Sequence, residues 1–179
     1  MDTYTINFTI LELEIFSFLS IKAGERLSQR EIAKALKVSP TAVSNAVKNL
    51  AEKNLITMEK TKTINFISFN RDNPKAIELK RVENLKQIYL SGLSDFLEEK
   101  LAGSTIIVFG SFSRGEDTKT SDIDIAVIRR KDKLLPLELY EKALNRKINV
   151  NFYDSWKEIN KHLKNNILNG VILHGGVEL

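Results

Sequence analysis

The sequence has 179 residues, of which 42% are hydrophobic, with a formal net charge of +4 at pH 7 and no cysteine. This composition excludes a disulfide-stapled scaffold and a thiolate zinc site, and it predicts one packed domain or two small ones. We find no apolar run long enough to cross a bilayer and no secretory signal pattern, so we expect a cytoplasmic protein without membrane contact. The mild positive charge is compatible with nucleic acid or nucleotide partners.

The N-terminal part of the chain predicts three helices. Apolar residues are dense from Ile6 to Ile21, which favours a helix buried on more than one side. Ser28 and Glu31 have the spacing of a capping box, which predicts the start of a second helix. Ser39 followed by Pro40 predicts the start of a third, because a proline at the first helical position loses no hydrogen bond.

Residues 55–69 alternate between apolar and polar on both sides of a Lys/Thr tip, which predicts a β-hairpin. Two adjoining helices followed by a hairpin resemble winged-helix DNA-binding domains. The resemblance implies that the last helix enters a major groove of double-stranded DNA and that the hairpin tip touches its backbone. The residues it assigns to DNA are Thr41, Ser44, Asn45, Lys48, Lys60 and Lys62. A small domain of this kind can instead pack against a partner protein or form a homodimer.

A long helix is predicted to connect two domains. Asn73 and Pro74 repeat the helix-start signal, and the helix they open extends to about Ala102, although Gly92 could divide it in two. We place the boundary at residues 71–73. Residues 1–72 then form a winged helix-turn-helix domain and residues 73–179 a second domain, of which residues 73–102 are the connecting helix.

The second domain is organised around two apolar runs. Thr105 to Phe109 is typical of a buried strand, and Gly110 ends it, because a tight turn beside a ligand favours a residue without a side chain. Ile123 to Ile128 predicts another strand, so Asp122 and Asp124, two residues apart, project from the same face. Adjacent carboxylates repel each other unless a cation lies between them, and hard oxygen ligands favour Mg²⁺ or Mn²⁺.

The pattern Gly-Ser-x-x-Arg-Gly-Glu followed by Ser-Asp-x-Asp resembles the signature of the nucleotidyltransferase superfamily, in particular its minimal (MNT-type) members. The resemblance implies a small mixed-sheet domain with flanking helices. With the winged helix of three helices and a β-wing, the whole chain is expected to be α+β. The residues it implies are Asp122 and Asp124 for catalysis and metal binding, and Gly110, Ser111, Arg114 and Ser121 for nucleotide binding.

Two other ligand-binding loops are excluded by the residues present at their key positions. Gly110 and Gly115 match the start of a P-loop, but Glu116 stands where that motif requires a lysine. An EF-hand is excluded because no third acidic ligand and glycine follow Asp124 at the required spacing.

The remaining chain predicts a helix, a strand, a second helix and a final strand. Residues Leu134 to Leu144 favour a short helix that begins near Pro136, and Lys147 to Asp154 alternates as a half-buried strand does. Ser155 and Glu158 have capping-box spacing, which predicts a helix starting there. A last short strand or an extended tail is expected at residues 171–173.

The strand predicted from Lys147 is where nucleotidyltransferases of this kind place a third carboxylate. Here Asn149 or Asn151 takes that position, and Asp154 lies one step out of register. An amide oxygen can bind a cation, so both are metal-ligand candidates beside the two Asp residues. An amide carries no charge and cannot accept a proton from the nucleophile. We therefore expect Mg-NTP binding with slow or absent transfer.

Two functions fit these residues. The first is an enzyme that transfers a nucleoside monophosphate from an Mg-NTP such as ATP to a hydroxyl of a protein, an RNA end or a small molecule. Minimal members of the family commonly modify a HEPN-type toxin, so the resemblance implies such a toxin as a partner. The second is a catalytically weak transcriptional regulator that binds DNA and senses nucleotide. The Gly-Ser turn and the two Asp residues favour the enzyme, whereas the missing acid favours the regulator.

Overall fold

The computed structural model describes residues 7–61 and 64–178. The chain divides into two compact units, the first ending at Lys80 and the second beginning at Arg81. The first unit contains a three-stranded sheet and the second a four-stranded sheet, each with helices, which confirms the expected α+β fold. Within the described residues, no helix has both the length and the apolar character needed to span a membrane.

The first unit begins with three helices, each with a side-chain cap at its N-terminus. The first begins later than expected, because Thr9 and Glu12 form a capping box that the dense apolar pattern obscured. The predicted caps Ser28 and Ser39 are confirmed, each accepting a backbone N–H of the first turn through its side chain. The helices are α1 (Ile10–Ile21), α2 (Gln29–Leu36) and α3 (Pro40–Glu52).

The predicted hairpin is confirmed, and a short strand completes its sheet. The sheet is antiparallel in the order β1-β3-β2, with β1 (Leu27–Ser28), β2 (Ile56–Lys60) and β3 (Asn65–Phe69). Strand β1 is only two residues long, too short for any periodicity to reveal. Ile15, Ile32, Val47, Leu50 and Ile67 form the centre of the core and are fully buried. Three helices packed on a small antiparallel sheet that contains a hairpin form the winged-helix architecture.

The long helix is divided where glycine permits it. Helix α4 (Pro74–Leu90) and helix α5 (Leu93–Lys100) meet at Gly92, whose φ of +75° a residue with a Cβ adopts only at some cost. The division between the two compact units falls within α4.

A mixed sheet forms the centre of the second unit. Its order is β6-β5-β4-β7, with β5 parallel to β6 and the other pairs antiparallel. The predicted strands are confirmed with small shifts at their ends. They are β4 (Thr105–Phe109), β5 (Ile123–Ile128), β6 (Ile148–Tyr153) and β7 (Val171–His174).

Three further helices flank this sheet: α6 (Gly110–Arg114), α7 (Glu138–Leu144) and α8 (Lys161–Leu168). The predicted helix α7 is present, and it begins at Glu138, slightly after the expected start near Pro136. The predicted helix start at Ser155, by contrast, is wrong. The Ser155 carbonyl accepts the Glu158 N–H at 3.3 Å in a turn, and the Glu158 carboxylate accepts the Asp154 N–H. The true cap is Asn160, whose side chain accepts the Leu163 N–H at 2.9 Å.

Both faces of the mixed sheet are covered by apolar side chains. Ile123, Ile125 and Val127 pack into the core on one face, together with residues of α5 and α7. Ala126 and Ile128 face the other way, into a core that contains Trp156 and Ile167. Because strand residues alternate between faces, Asp124 lies on the same face as Ala126 and Ile128 and is the nearest of the three to the start of β5.

Candidate functional site

The two carboxylates of the Asp-x-Asp motif converge. Asp122 immediately precedes β5 and is exposed, whereas Asp124 is half-buried. The amide nitrogen Nδ2 of Asn149 donates to Asp122 Oδ2 at 3.2 Å and to Asp124 Oδ1 at 3.3 Å. One atom thus lies within hydrogen-bond distance of both carboxylates. The side chains of the motif therefore aim at a common point.

Strand register decides between the two asparagines. In the parallel pair of β5 and β6, Asn149 lies opposite Asp124 and Asn151 opposite Ala126. Asn149 is therefore the residue that meets the carboxylates. Asn151 instead lines a groove of about 540 Å³ along β6, with Asp132, Lys133 and Tyr153 among the other lining residues.

Gly110 approaches the carboxylates from the neighbouring strand. It follows Phe109, which pairs with Asp124 across β4 and β5, and its φ is +77°. A Cβ at this position would lie 2.8 Å from Asp124 Oδ2. Only glycine satisfies both the backbone angle and the close approach. The sequence-based reason for this glycine was a tight turn beside a ligand. The structure shows the positive backbone angle and places the Asp124 carboxylate next to it.

The other predicted nucleotide contacts lie on or beside α6. Ser111 is half-buried at the second position of α6. Arg114 donates through Nε to Glu116 and through Nη1 to Asn166 of α8, each at 2.8 Å. Ser121 Oγ accepts the Thr118 N–H at 2.9 Å, which shapes the loop before Asp122. Ser111 and Ser121 thus lie on the segments that flank β4 and β5, while Arg114 already has two protein partners.

The donor set fits a divalent cation. The two carboxylates offer hard oxygen ligands that converge on one point, as a Mg²⁺ or Mn²⁺ ligand pair requires, while Asn149 directs its amide nitrogen to them. In the part of the chain that the structure describes, no group of three or more His, Cys, Asp or Glu side chains forms a metal-ligand cluster. The residue opposite Asp124 on β6 is the amide Asn149, one of the two asparagines that the sequence predicted for this position.

A buried polar network lies beneath this site, and sequence reasoning missed it. Asn84, Asp117 and Arg146 come from three separate segments, and all are buried. Asn84 lies four residues before the apolar residue Ile88, so both are on the core-facing side of the helix. A polar residue among these apolar positions was the sequence feature that could have indicated a buried network. No local sequence pattern indicates that Asp117 or Arg146 would be buried.

Four of the predicted DNA-contacting residues lie on α3, on the side of the helix away from the core. Thr41, Asn45 and Lys48 are exposed on α3 and Ser44 is half-buried, whereas Val43 and Val47 on the other side of the helix enter the core. Lys60 is exposed at the end of β2. Lys62 lies outside the described residues. Helix α3 therefore presents a polar face of the composition that base edges and phosphates require.

Comparison with protein families assigns both units to known classes. Residues 92–176 match the family described as polymerase beta, nucleotidyltransferase, and residues 6–63 match the MarR family. The chain therefore carries a MarR-like winged-helix domain followed by a nucleotidyltransferase-fold domain. This confirms the two resemblances drawn from the sequence.

Among solved structures, the chain is similar to ZitR of Lactococcus lactis, described as a zinc-responsive MarR family member. The identity is 22% and the TM-score 0.41, over 57% of this chain and 70% of ZitR. A ZitR mutant in complex with DNA gives 21% identity and the same TM-score of 0.41, over 57% of this chain and 68% of that one. No curated protein matches the chain.

Proposed function

We propose that the C-terminal domain binds Mg²⁺ or Mn²⁺ with a nucleoside triphosphate such as ATP and transfers the nucleoside monophosphate to a hydroxyl acceptor. The observation that carries this proposal is the convergence of Asp122 and Asp124 on one point beside Gly110. The match of residues 92–176 to a nucleotidyltransferase family supports it.

Each residue has a role in this proposal. Asp122 and Asp124 hold the metal, which when bound supplies positive charge to the triphosphate and to the attacking hydroxyl. Gly110 lets the phosphates approach the backbone, and Ser111 and Ser121 donate hydroxyl hydrogen bonds to them. Arg114 uses Nε and Nη1 for Glu116 and Asn166, so we assign its phosphate contact to Nη2.

The reaction is an in-line displacement. The acceptor oxygen forms a bond to the α-phosphorus while the bond from that phosphorus to the bridging oxygen breaks, and pyrophosphate leaves with the electron pair. The hydroxyl proton must go to a base. Asn149 cannot take it, because an amide is not basic, so the proton passes to solvent or to one of the Asp carboxylates. We therefore propose that transfer is slow.

The transfer can be tested with each nucleoside triphosphate labelled at the α-phosphorus. We expect slow, Mg²⁺-dependent labelling of an acceptor, or slow pyrophosphate release, that is lost in Asp122→Asn/Asp124→Asn. The amide replacements keep the shape of both side chains and remove their charge. Equal product formation by the double variant would contradict the assignment of these carboxylates.

The acceptor class rests on the family resemblance. Minimal members modify HEPN-type toxins, so we propose a toxin of this kind as one candidate acceptor and partner. We also propose a cytoplasmic location, where nucleoside triphosphates and DNA are both present.

We propose in addition that the N-terminal domain binds double-stranded DNA. Helix α3 would lie in a major groove with Thr41, Ser44, Asn45 and Lys48 toward base edges and phosphates, and Lys60 and Lys62 would approach the backbone from the wing. The exposed polar face of α3 and the MarR family match support this. The alternative role for this domain is to form a homodimer, which DNA titration at known protein concentration would detect as two protein chains per DNA site.

A second candidate function is a regulator that senses nucleotide. Asn149 at the position expected for an acid favours it, since binding needs fewer charged ligands than catalysis does. DNA affinity measured with and without Mg-NTP separates the two functions. A change in affinity that disappears in Asp122→Asn/Asp124→Asn supports the regulator, and an unchanged affinity contradicts it.

A further inference from the structure

A buried arginine holds the loop that carries the Asp pair. Arg146 stands between α7 and β6, and its side chain is only 3% exposed. Its Nη1 donates to the carbonyl of Ser121 at 2.9 Å and to the carbonyl of Thr118. Both carbonyls belong to the loop that ends at Asp122. One guanidinium group therefore fixes two points of the backbone directly before the first metal-ligand candidate.

The same arginine has a buried counter-charge. Its Nη2 lies 2.8 Å from Asp117 Oδ2, and the side chain of Asp117 is fully buried. Asn84 Nδ2 donates to Asp117 Oδ1 at 2.6 Å and to the Phe112 carbonyl at 2.8 Å. Burial lowers the pKa of Arg146, while the charge of Asp117 opposes that shift. The network thus joins α6, the loop and the segment before β6.

Arg146 also lies close in sequence to the other half of the site. The Ile123 N–H donates to the Lys147 carbonyl at 2.8 Å, so the first residue of β5 is held by the residue that follows Arg146. Asn149 comes two residues later on β6 and meets both carboxylates. Fixing Arg146 therefore fixes the position of Asp122 relative to Asn149.

We infer that Arg146 is a positioning residue for the metal–nucleotide site: its planar guanidinium clamps the Thr118–Ser121 loop so that Asp122 and Asp124 stay converged. The inference rests on the proposed function for the identity of the ligand. The clamp itself is a property of the loop and can be measured without any ligand. A lysine would keep the positive charge, but its single ammonium group lacks the planar, multiple donors that bind the Asp117 carboxylate and both loop carbonyls at once.

Three variants of the full chain test this inference. Arg146→Lys keeps a positive charge beside Asp117 and removes the planar guanidinium group. Arg146→Gln/Asp117→Asn removes both buried charges together, so it avoids an unpaired buried carboxylate and guards against simple misfolding. The matched control is Arg129→Gln, which removes an arginine of an exposed ion pair with Glu178 at the far end of β5.

Two measurements are made on each variant: amide hydrogen exchange, and the affinity for each Mg-NTP by isothermal titration. In Arg146→Lys and in the double variant, we expect at least tenfold faster exchange in residues 118–123 and unchanged exchange in β4. We also expect at least tenfold weaker nucleotide binding, with the control like the wild type.

Each other outcome is decisive. Unchanged exchange in residues 118–123 would overturn the clamp, and so would exchange that rises equally throughout the sheet, since that marks general destabilisation. Faster loop exchange with unchanged nucleotide affinity would overturn the positioning role. If the wild type binds no nucleotide, the proposed function fails, and the exchange data alone then decide whether Arg146 anchors the loop.

Discussion

Asn149 is the residue on which the proposed chemistry of this site depends. Its amide donates to both carboxylates, so in the absence of metal it relieves the repulsion between Asp122 and Asp124. A carboxylate there would restore the charge and the basicity that two-metal transfer uses. The same substitution would bring three negative charges together. Activity and metal-free stability should therefore change in opposite directions.

The first prediction concerns Asn149→Asp. We expect nucleotidyl transfer to rise roughly 100-fold, the usual scale of general-base catalysis, and thermal stability without metal to fall. Labelled-NTP transfer and thermal unfolding with and without Mg²⁺ measure both effects. Asn151→Asp is the control, because Asn151 pairs with Ala126 and lies outside the Asp cluster. A gain from Asn151→Asp and none from Asn149→Asp would show that the register argument is wrong.

The second prediction concerns Gly110→Ala. A methyl group there would lie 2.8 Å from Asp124 Oδ2, so the carboxylate must move, and we expect nucleotide affinity to fall at least tenfold. Gly103→Ala is a matched control, because Gly103 has a φ of +84° but no atom within 4 Å of the added Cβ. Both variants should lose about 1–2 kcal/mol of stability from backbone strain. Isothermal titration should show that only Gly110→Ala loses binding.

At the residue scale, the sequence predicted what lies within one local motif. Asp122, Asp124 and Gly110 lie close together in the sequence, and strand alternation is enough to bring the carboxylates to one face. The choice of Asn149 over Asn151 required the register of β5 and β6, which no periodicity contains. Asn84, Asp117 and Arg146 meet only through tertiary packing, so sequence spacing gave no reason to connect them.

At the scale of elements, helix starts show both the strength and the limit of sequence signals. Ser28 and Glu31 form the predicted capping box of α2, with reciprocal backbone hydrogen bonds at 2.7 and 3.3 Å. Ser155 and Glu158 have the same spacing, yet the chain there makes a turn and the helix starts after Asn160. Burial of Trp156 and Ile159 competes with helix formation at Ser155, because both side chains must reach the core on this face of the sheet.

The third prediction uses this pair of serines. Ser28→Ala removes a real cap and should lower the free energy of unfolding by about 1 kcal/mol. Ser155→Ala removes only the sequence signature and should stay within about 0.5 kcal/mol of the wild type. Denaturant unfolding monitored by circular dichroism measures both. Equal losses for the two variants would mean that Ser155 supports the structure in a way that the observed turn does not explain.

At the scale of the whole molecule, the chain joins a candidate DNA-binding surface to a candidate nucleotide site. Its overall charge is only +4, so electrostatic attraction to DNA must come from local groups such as Lys48 on the exposed face of α3. The two family matches cover separate parts of the chain, residues 6–63 and 92–176. Each activity should therefore respond to substitutions in its own unit.

The fourth prediction tests this separation. Lys48→Ala should weaken DNA binding and lower the slope of log affinity against log salt by about one, as expected for the loss of one phosphate contact. Lys142→Ala removes the same charge from an exposed position of α7 in the other unit and should leave the slope unchanged. Fluorescence anisotropy with duplex DNA over a range of salt concentrations measures both. Equal effects would mean that net charge alone governs the association.

The most direct test of the account is isothermal titration of ATP, GTP, CTP and UTP with Mg²⁺ into the wild type and into Asp122→Asn/Asp124→Asn. We predict that at least one nucleotide binds the wild type in a metal-dependent manner and that the double variant loses this binding. Absence of binding by every nucleotide, or equal binding by the double variant, would contradict the claim that the two converging carboxylates form a metal–nucleotide site.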